Sequence, residues 1–251
     1  MHFRVRAFGL HLAASVTLLA GVFGALYFGW YRWPGWYLSL VLHVVGIVAL
    51  VDLGLGPLLT LVVANPAKPR RELARDISVI ALVQLTALVY GVVTLWLGRP
   101  LYYAFSADRM QLVQASDLGA SQVALARKDN PGLAPYWYSL PRWVWAPLPD
   151  DPQEAQRIVQ AAVLGGGEDI EQMPRYYRPW AQGLAKLREQ LKPLNELKGL
   201  SDAEKRALSA RLRERSLVPT ERNALLLSGG LRRVLVVFDP KTLRIRAMLA
   251  S

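Results

Sequence analysis

Three polar side chains that can do chemistry interrupt long apolar stretches of this 251-residue chain. Asp52 lies about midway through the apolar segment 36–64, His43 lies nine residues before it, and Gln84 lies in the next apolar segment. A carboxylate within a membrane normally faces the helix bundle or a partner protein, and such groups often have a function. Nine residues turn a helix by about two and a half turns, so His43 and Asp52 point to opposite faces and no direct pair is predicted. All three are candidate partner-binding residues.

The residues after Asp52 indicate an alternative role for its carboxylate. Gly54, Gly56 and Pro57 predict a break in the helix, because proline has no N–H and breaks helices. Asp52 would then accept hydrogen bonds from the backbone amides of the broken turn, as part of the fold. In the other interpretation it contacts a group on a partner's membrane helix. The sequence leaves both interpretations open.

The residue types of common catalytic and metal sites are scarce. The chain has no cysteine, and its three histidines are His2, His11 and His43. Residues 99–251 therefore cannot build a common zinc site or a histidine-based catalytic triad. The run Gly165–Gly167 does not follow a strand pattern and predicts the end of a helix, not a phosphate-binding loop. We predict no enzyme activity, metal or cofactor, although catalysis by carboxylates stays open.

These polar residues must be positioned by three apolar segments, 7–31, 36–64 and 77–98, in a chain that is 53% hydrophobic. Each segment exceeds the roughly 20 residues that cross a bilayer as a helix. The first segment ends in an aromatic cluster typical of a membrane interface and not in the small residues of a signal-peptide cleavage site. We predict a membrane domain over residues 1–98 with three transmembrane helices.

The loops between these segments predict the orientation, because lysine and arginine accumulate in cytoplasmic loops. The first loop carries only Arg32, whereas the N-terminus and the second loop carry the basic residues Arg4, Arg6, Lys68, Arg70, Arg71 and Arg75. We therefore predict a cytoplasmic N-terminus and an extracytoplasmic domain over residues 99–251, in the periplasm of a bacterium with two membranes. The net charge of +11 could indicate nucleic acid. This location argues against a nucleic-acid partner, and an ordinary solvated basic surface accounts for the charge of the outer region. The lipid bilayer is an expected partner because of the three apolar segments.

The outer region, residues 99–251, contains strand patterns at both of its ends. The patterns at 101–115 and 232–249 each surround a turn and predict two β-hairpins. An isolated hairpin is marginal in water, so we expect both to join one small antiparallel sheet. Helices within 151–216 are expected to pack on that sheet, which predicts an α+β domain.

Helix signals fill the middle of this region. Asp151 before Pro152 is an N-cap pattern, and Ser201 with Glu204 forms a capping box for a helix that runs to about Ser216. A further helix is predicted from an apolar pattern with spacings of three and four: Tyr177, Trp180, Leu184, Leu187, Leu191 and Leu194.

Two apolar patterns of this region have alternative interpretations. The stripe that includes Tyr177, Trp180, Leu184 and Leu187 could bind a partner, although such stripes more often pack on the domain's own sheet. The aromatic segment 135–149 could likewise face a protein or a membrane, or close the core as a proline-stiffened loop.

The order and spacing of several residues resemble the TfpX/TfpZ family of type IV pilin accessory proteins. The resemblance is close over residues 5–118 and loose over the last twenty. The residues that carry it are Asp52, Gly56, Pro57, Thr60, Asn65, Pro66, Gln84, Tyr90, Gly91, Arg99, Pro100, Phe105, Asp108 and Arg109.

This resemblance implies a bacterial inner-membrane protein that assists a type IV pilin. Members of the family are regarded as chaperone-like accessory proteins that modulate surface pili, and they are not known as enzymes. The expected partners are the major pilin subunit and the pilus assembly machinery. Two alternatives stay open: a membrane-anchored envelope enzyme that modifies pilin or glycan, and a sensor with a periplasmic receptor domain.

Overall fold

The computed structural model describes residues 2–39, 41–107, 109–164 and 168–251, and within them the chain divides into two compact units. The membrane unit is formed within Met1–Arg32 and Leu40–Gly98, and the sheet domain within Trp33–Ser39 and Arg99–Ser251. The helices are α1 (His2–Gly29), α2 (Gly35–Leu38), α3 (Val41–Ala49), α4 (Gly56–Val63), α5 (Arg70–Leu97), α6 (Ala120–Asp129), α7 (Pro152–Val163), α8 (Leu184–Gln190) and α9 (Asp202–Glu214). The strands are β1 (Pro100–Ser106), β2 (Arg109–Gln114), β3 (Arg142–Trp145), β4 (Arg178–Pro179), β5 (Ala224–Gly229), β6 (Arg232–Phe238) and β7 (Ile245–Ala250). The predicted fold class, membrane helices followed by an α+β domain, is confirmed.

Three spans among the described residues are long and apolar enough to cross a bilayer: His2–Gly29, Val41–Val63 and Arg70–Leu97. The first and third begin earlier than predicted, because the helices continue into polar residues beyond the apolar segments. The second begins later, at Val41. Residues 36–38 are apolar for another reason: they belong to α2, which packs into the sheet domain.

The predicted helix break after Asp52 is wrong. A π-helical segment, Leu50–Leu55, joins α3 to α4, so the span continues through Gly54, Gly56 and Pro57. The N–H of Gly56 bonds to the carbonyl of Val51, five residues back. Pro57 lies in the first turn of α4, where a missing N–H is tolerated. A wider helical turn therefore accommodates the proline that was expected to end the helix.

Both predicted hairpins join one sheet, as expected. Within the described residues this sheet has seven strands in the order β4-β3-β1-β2-β5-β6-β7. β1–β2 and β6–β7 are antiparallel, whereas β1–β3 and β2–β5 are parallel, so the sheet is mixed and larger than the predicted one. Strand β5, which the sequence did not predict, connects the two hairpins. The last strand begins at Ile245, not at 242, because Leu243 N–H closes a turn on the carbonyl of Asp239.

The predicted helix over 177–194 is wrong in extent. This stretch contains strand β4, a 3₁₀ turn over Trp180–Gly183, and only then α8. Pro179 is extended, with φ −51° and ψ 138°, which starts the helix later. The helix ends at Gln190, where Leu191 is extended, two residues before Pro193, which cannot continue a helix.

The N-caps of the neighbouring helices are confirmed. The Asp151 side chain accepts a hydrogen bond from Gln153 N–H at 3.0 Å, and Ser201 with Glu204 forms the predicted capping box before α9. The expected end of α7 at Gly165–Gly167 lies outside the described residues.

The helices of 151–216 pack on the sheet, as predicted. Ile158 of α7 is buried with Tyr102 of β1, Leu187 of α8 is buried with Phe105, and Leu208 of α9 belongs to a third core with residues of β6 and β7. Apolar burial of this kind is the main driving force of folding. It makes the middle of the chain part of one domain with both hairpins.

Candidate functional site

A chain of hydrogen bonds connects the three spans of the membrane unit. His11 of α1 contacts Thr60 of α4 through Nδ1 at 2.6 Å and Gln84 of α5 through Nε2 at 2.7 Å. Gln84 Nε2 in turn donates to the backbone carbonyl of Asp52 at 3.1 Å. These side chains satisfy one another, as polar groups within a helix bundle must.

This network assigns the proton positions of His11. The Gln84 amide nitrogen must face the Asp52 carbonyl, so its Oε1 faces His11 and can only accept. His11 Nε2 therefore carries a proton and donates. In the neutral ring, Nδ1 then accepts from the Thr60 hydroxyl.

The π-helical segment explains why Gln84 bonds to the backbone of the second span. Gly56 N–H donates to Val51, and Pro57 has no N–H to offer the carbonyl of Asp52. Gln84 supplies this donor from the neighbouring helix. A Cβ atom on Gly56 would collide with the Gln84 amide, so a glycine is needed for this approach.

The carboxylate of Asp52 is the exceptional group of the membrane unit. The residue is 4% exposed, and neither carboxylate oxygen has a hydrogen-bond partner among the described residues. A cavity of about 210 Å³ lies beside it, lined by His11, Ser15, Ala81 and Gln84 among others. A buried polar group without a partner is costly and needs an explanation. This cavity is the first candidate site.

Other predicted residues of the membrane unit lie elsewhere. His43 and Tyr90 are exposed on its surface, which leaves them outside the network around Asp52. Gly91 lets α5 approach α3, because a Cβ there would collide with Val48. Asn65 closes the turn that follows α4 by accepting from Ala67 N–H at 3.1 Å, and Pro66 is exposed in the same turn.

A second polar cluster lies in the sheet domain at the turn between β1 and β2. Glu171 is 1% exposed and accepts hydrogen bonds from Ser106 Oγ and Arg109 Nε, both at 2.5 Å. Arg109 also pairs with Asp169 at 2.6 Å. Burial alone would raise the pKa of Glu171, but the hydrogen bonds from Arg109 and Ser106 bring it below its ordinary value. The same pairing raises the pKa of Arg109.

An apolar groove of about 560 Å³ runs beside this cluster. Its walls include Ile158, Val159 and Val163 of α7 and Leu148 before it, with Lys186 at the edge. Several of these side chains are exposed. The groove is the second candidate site, because its exposed apolar side chains lie beside the charged residues Arg109 and Asp169.

The remaining family-type residues that the structure describes in the sheet domain lie in or just before strand β1. Arg99 is buried just before β1, Pro100 begins that strand, and Phe105 lies in the core. Asp108 lies outside the described residues. No group of three or more His, Cys, Asp or Glu in the described part of the chain is arranged to hold a metal.

Three fimbrial assembly proteins of Dichelobacter nodosus are similar to the chain. That of serogroup I is 28% identical over 195 residues, covering 76% of this chain and 73% of the relative; that of serogroup E1 is 26% identical with the same coverage. That of serogroups C1 and C2 is 30% identical over 116 residues, covering 46% of this chain and 88% of the relative. The chain belongs to this family of fimbrial assembly proteins. No model of a known protein family and no solved structure matches it.

The family similarity includes both units of the chain. An alignment of 195 residues exceeds the length of the stretch 99–251, so it must extend into the membrane helices. The relation to fimbrial assembly proteins therefore covers part of the unit that holds Asp52.

In this family member the apolar stripe of the sheet domain is used for packing. Tyr177 is fully buried in one core and Leu187 in another. Trp180 and Leu184 pack against the core that contains Leu187. The stripe residues therefore line the interior, and the interpretation that they pack on the domain's own sheet accounts for them. By contrast, Trp137 and Tyr138 of the segment 135–149 are exposed.

His11 and Ser15 are site residues that the sequence analysis missed. His11 stands in an apolar run without any charged side chain, which is the same signal that drew attention to Asp52. Counting along the antiparallel helices α1 and α4 would have placed His11 near the depth of Thr60, because each residue rises about 1.5 Å. The contact between His11 and Gln84 also depends on how each helix is rotated about its own axis, and the periodicity of the sequence does not determine this rotation.

Proposed function

We propose that this fimbrial assembly family member is an inner-membrane accessory protein of the type IV pilus. It binds the major pilin before assembly, in the manner of a chaperone, and thereby increases the amount of pilin that reaches the surface. It acts by binding and not by catalysis. Both the similarity to fimbrial assembly proteins and the resemblance to the TfpX/TfpZ family support this role.

The observation that carries the proposal is the family similarity that extends from the sheet domain into the membrane helices. A protein that assists a membrane-embedded subunit needs contact surfaces both within and outside the bilayer. The membrane unit offers the cavity at Asp52, and the sheet domain offers the apolar groove beside Arg109.

The proposed orientation has a cytoplasmic N-terminus and a periplasmic sheet domain. The basic residues of the second loop support it through the positive-inside rule. Trp33–Ser39, the loop between the first two spans, belongs to the same compact unit as Arg99–Ser251. This agrees with three membrane spans, which put the loop and the sheet domain on the same side of the membrane in either orientation.

Deletion of the gene and complementation test the function. In a strain whose pilin gene neighbours this one, deletion is expected to lower surface pili, counted by shearing and electron microscopy, while pilin mRNA stays unchanged. Re-expression of the full chain should restore the pili. Unchanged piliation after deletion would exclude the accessory role, and reduced pilin mRNA would point to regulation of transcription instead.

A further inference from the structure

We infer that the cavity at Asp52 is a binding site for the membrane helix of the pilin, and that this helix places a hydrogen-bond donor against the Asp52 carboxylate. The inference rests on the proposed function and names the site and the chemistry of the contact. The donor is a hydroxyl, amide, amine or protonated carboxyl group at the depth of Asp52.

The Asp52 carboxyl group lacks a hydrogen-bond donor within the described residues. Both Asp52 oxygens are buried and have no hydrogen-bond partner among the described residues. Two polar side chains of the cavity are engaged elsewhere: both nitrogens of His11 are within hydrogen-bond distance of Thr60 and Gln84, and Gln84 donates to the Asp52 backbone. The Ser15 hydroxyl also lines the cavity but is not a hydrogen-bond partner of either Asp52 oxygen. A partner that brings a donor therefore removes a cost that the isolated chain carries.

The cavity beside Asp52 is accessible to another helix. The second span packs on both α1 and α5, and the cavity lies between those two helices. Its lining includes the small residues Ala14, Ser15 and Ala81, and Ala14 and Ala81 are exposed. Small residues allow another helix to approach closely, which is how membrane helices associate. The cavity is thus open to an entering helix and ends at a carboxylate.

Lipid does not suit the cavity as its occupant. Acyl chains carry no hydrogen-bond donor, so lipid in this cavity would leave the carboxylate as costly as before. A protein helix packs its apolar side chains against the cavity walls, and a polar side chain at the same depth donates a hydrogen bond to Asp52. The occupant that the proposed function supplies is the pilin, which is held in the membrane before assembly.

The site predicts an unusual pair of effects for Asp52→Leu. Leucine has a similar size and removes an unpaired buried carboxylate, so the purified full chain should unfold at the same or a higher temperature. Pilin binding should fall about tenfold, because a buried hydrogen bond to the Asp52 carboxyl group is lost. Asp52→Asn, which keeps one acceptor oxygen, should lie between the two. If Asp52 served only the fold, leucine would lower stability, and binding would fall only as far as stability does.

A photo-reactive amino acid tests the place of contact. It is introduced at Ala81 in the cavity, or at Leu58, which is exposed at a similar depth outside the cavity lining. The chain is co-expressed with the major pilin of the same strain, and crosslinks are detected with an antibody against pilin. Crosslinks are expected from Ala81 and not from Leu58, and Asp52→Leu should reduce them about tenfold.

A double-mutant cycle tests the donor. Each donor side chain of the pilin membrane helix is replaced in turn. One replacement should lower crosslinking about tenfold with wild-type Asp52 and have no further effect with Asp52→Leu.

The inference is wrong if Ala81 and Leu58 crosslink pilin equally, or if Ala81 crosslinks only to a second copy of the chain. It is also wrong if Asp52→Leu leaves the crosslinking to pilin unchanged. Solvent-accessibility labelling that finds water and no pilin in the cavity would contradict it as well. Other results would contradict the proposed function and not the proposed site. If deletion leaves piliation unchanged while Ala81 still crosslinks pilin in an Asp52-dependent way, the site stands and the accessory role falls. If deletion abolishes pili but the Asp52→Leu chain restores both pili and crosslinks, the role stands and the site falls.

Discussion

Leu38, in the loop between the first two spans, lies directly against Gly229 at the end of β5. Leu38 is 1% exposed, and a Cβ atom on Gly229 would lie 2.6 Å from its Cβ. The loop is also tied by hydrogen bonds, from Tyr37 Oη to the Ser251 carbonyl at 2.9 Å and from Arg232 Nη1 to the Tyr37 carbonyl at 3.0 Å. The first loop is therefore part of the core of the sheet domain.

Gly229→Ala is expected to destabilise the sheet domain by about 1–3 kcal/mol, because the added methyl group overpacks the contact with Leu38. Unfolding of the full chain in detergent, followed by hydrogen exchange of the strand amides, measures the loss. Gly132→Ala is the matched control, since nothing lies within 4 Å of a Cβ at that exposed position. Equal stability of the two variants would contradict the close contact.

The orientation is tested with a reporter that is active only outside the cytoplasm. A fusion after Ser251 should be active, and a fusion at Pro69 should be silent, because the basic residues around Pro69 predict a cytoplasmic loop. A third fusion within 33–39 is not informative, since the insertion would disturb the core around Leu38. Activity at Pro69 with silence at Ser251 would reverse the proposed orientation.

The fold was predictable where one local pattern decides the outcome. Long apolar segments gave the three spans, and the caps at Asp151 and Ser201 fixed the helix starts. The short strands β3 and β5 were missed because their identity depends on parallel pairing with distant residues. Residues 36–38 were assigned to the second span because burial in a protein core and burial in a membrane select the same apolar side chains.

The ion pair of Glu171 predicts a pH dependence of the sheet domain. Its pKa in the folded state lies below the ordinary value of 4.5, so its contribution is present above that pH and is lost as the pH falls through the folded-state pKa. The wild-type domain should therefore lose stability in acid below about pH 4.5. Thermal unfolding at pH 7 and at about pH 4 gives the difference.

Glu171→Gln should cost about 1–3 kcal/mol at neutral pH and flatten part of this acid dependence, because the buried acceptor of Arg109 loses its charge. Arg109 is half exposed, and solvent screening keeps the loss at the low end. Glu189→Gln, at an exposed ion pair with Lys186, is the control and should change stability by less than about 0.5 kcal/mol. An unchanged acid dependence in Glu171→Gln would mean that other carboxylates cause it.

The candidate site was predictable only in part. Asp52 and Gln84 stood out because polar side chains are rare in apolar segments, but His11, which bonds to Gln84, was not identified. The sequence indicated a helix break at Gly54–Pro57, whereas a π-helical segment keeps the span continuous and turns the Asp52 carbonyl toward Gln84. Such a local change in helical register depends on the neighbouring helix, which a pattern along one segment does not contain.

Gln84→Leu should destabilise the membrane unit by about 1–3 kcal/mol, because the Asp52 carbonyl loses its donor and His11 Nε2 loses its acceptor. Gly56→Ala should have a similar effect, since a Cβ there displaces the Gln84 amide. Thr86→Val, two residues along the same helix, is the control: Thr86 is exposed and its hydroxyl bonds only to the carbonyl of Leu82 in its own helix. Reversible unfolding of the purified chain in mixed detergent micelles measures all three variants.

Because the two polar contacts share one amide, combining Gln84→Leu with Gly56→Ala should cost clearly less than the sum of the single losses. Full additivity, or a loss in Thr86→Val as large as that in Gln84→Leu, would show that the network does not hold the three spans together.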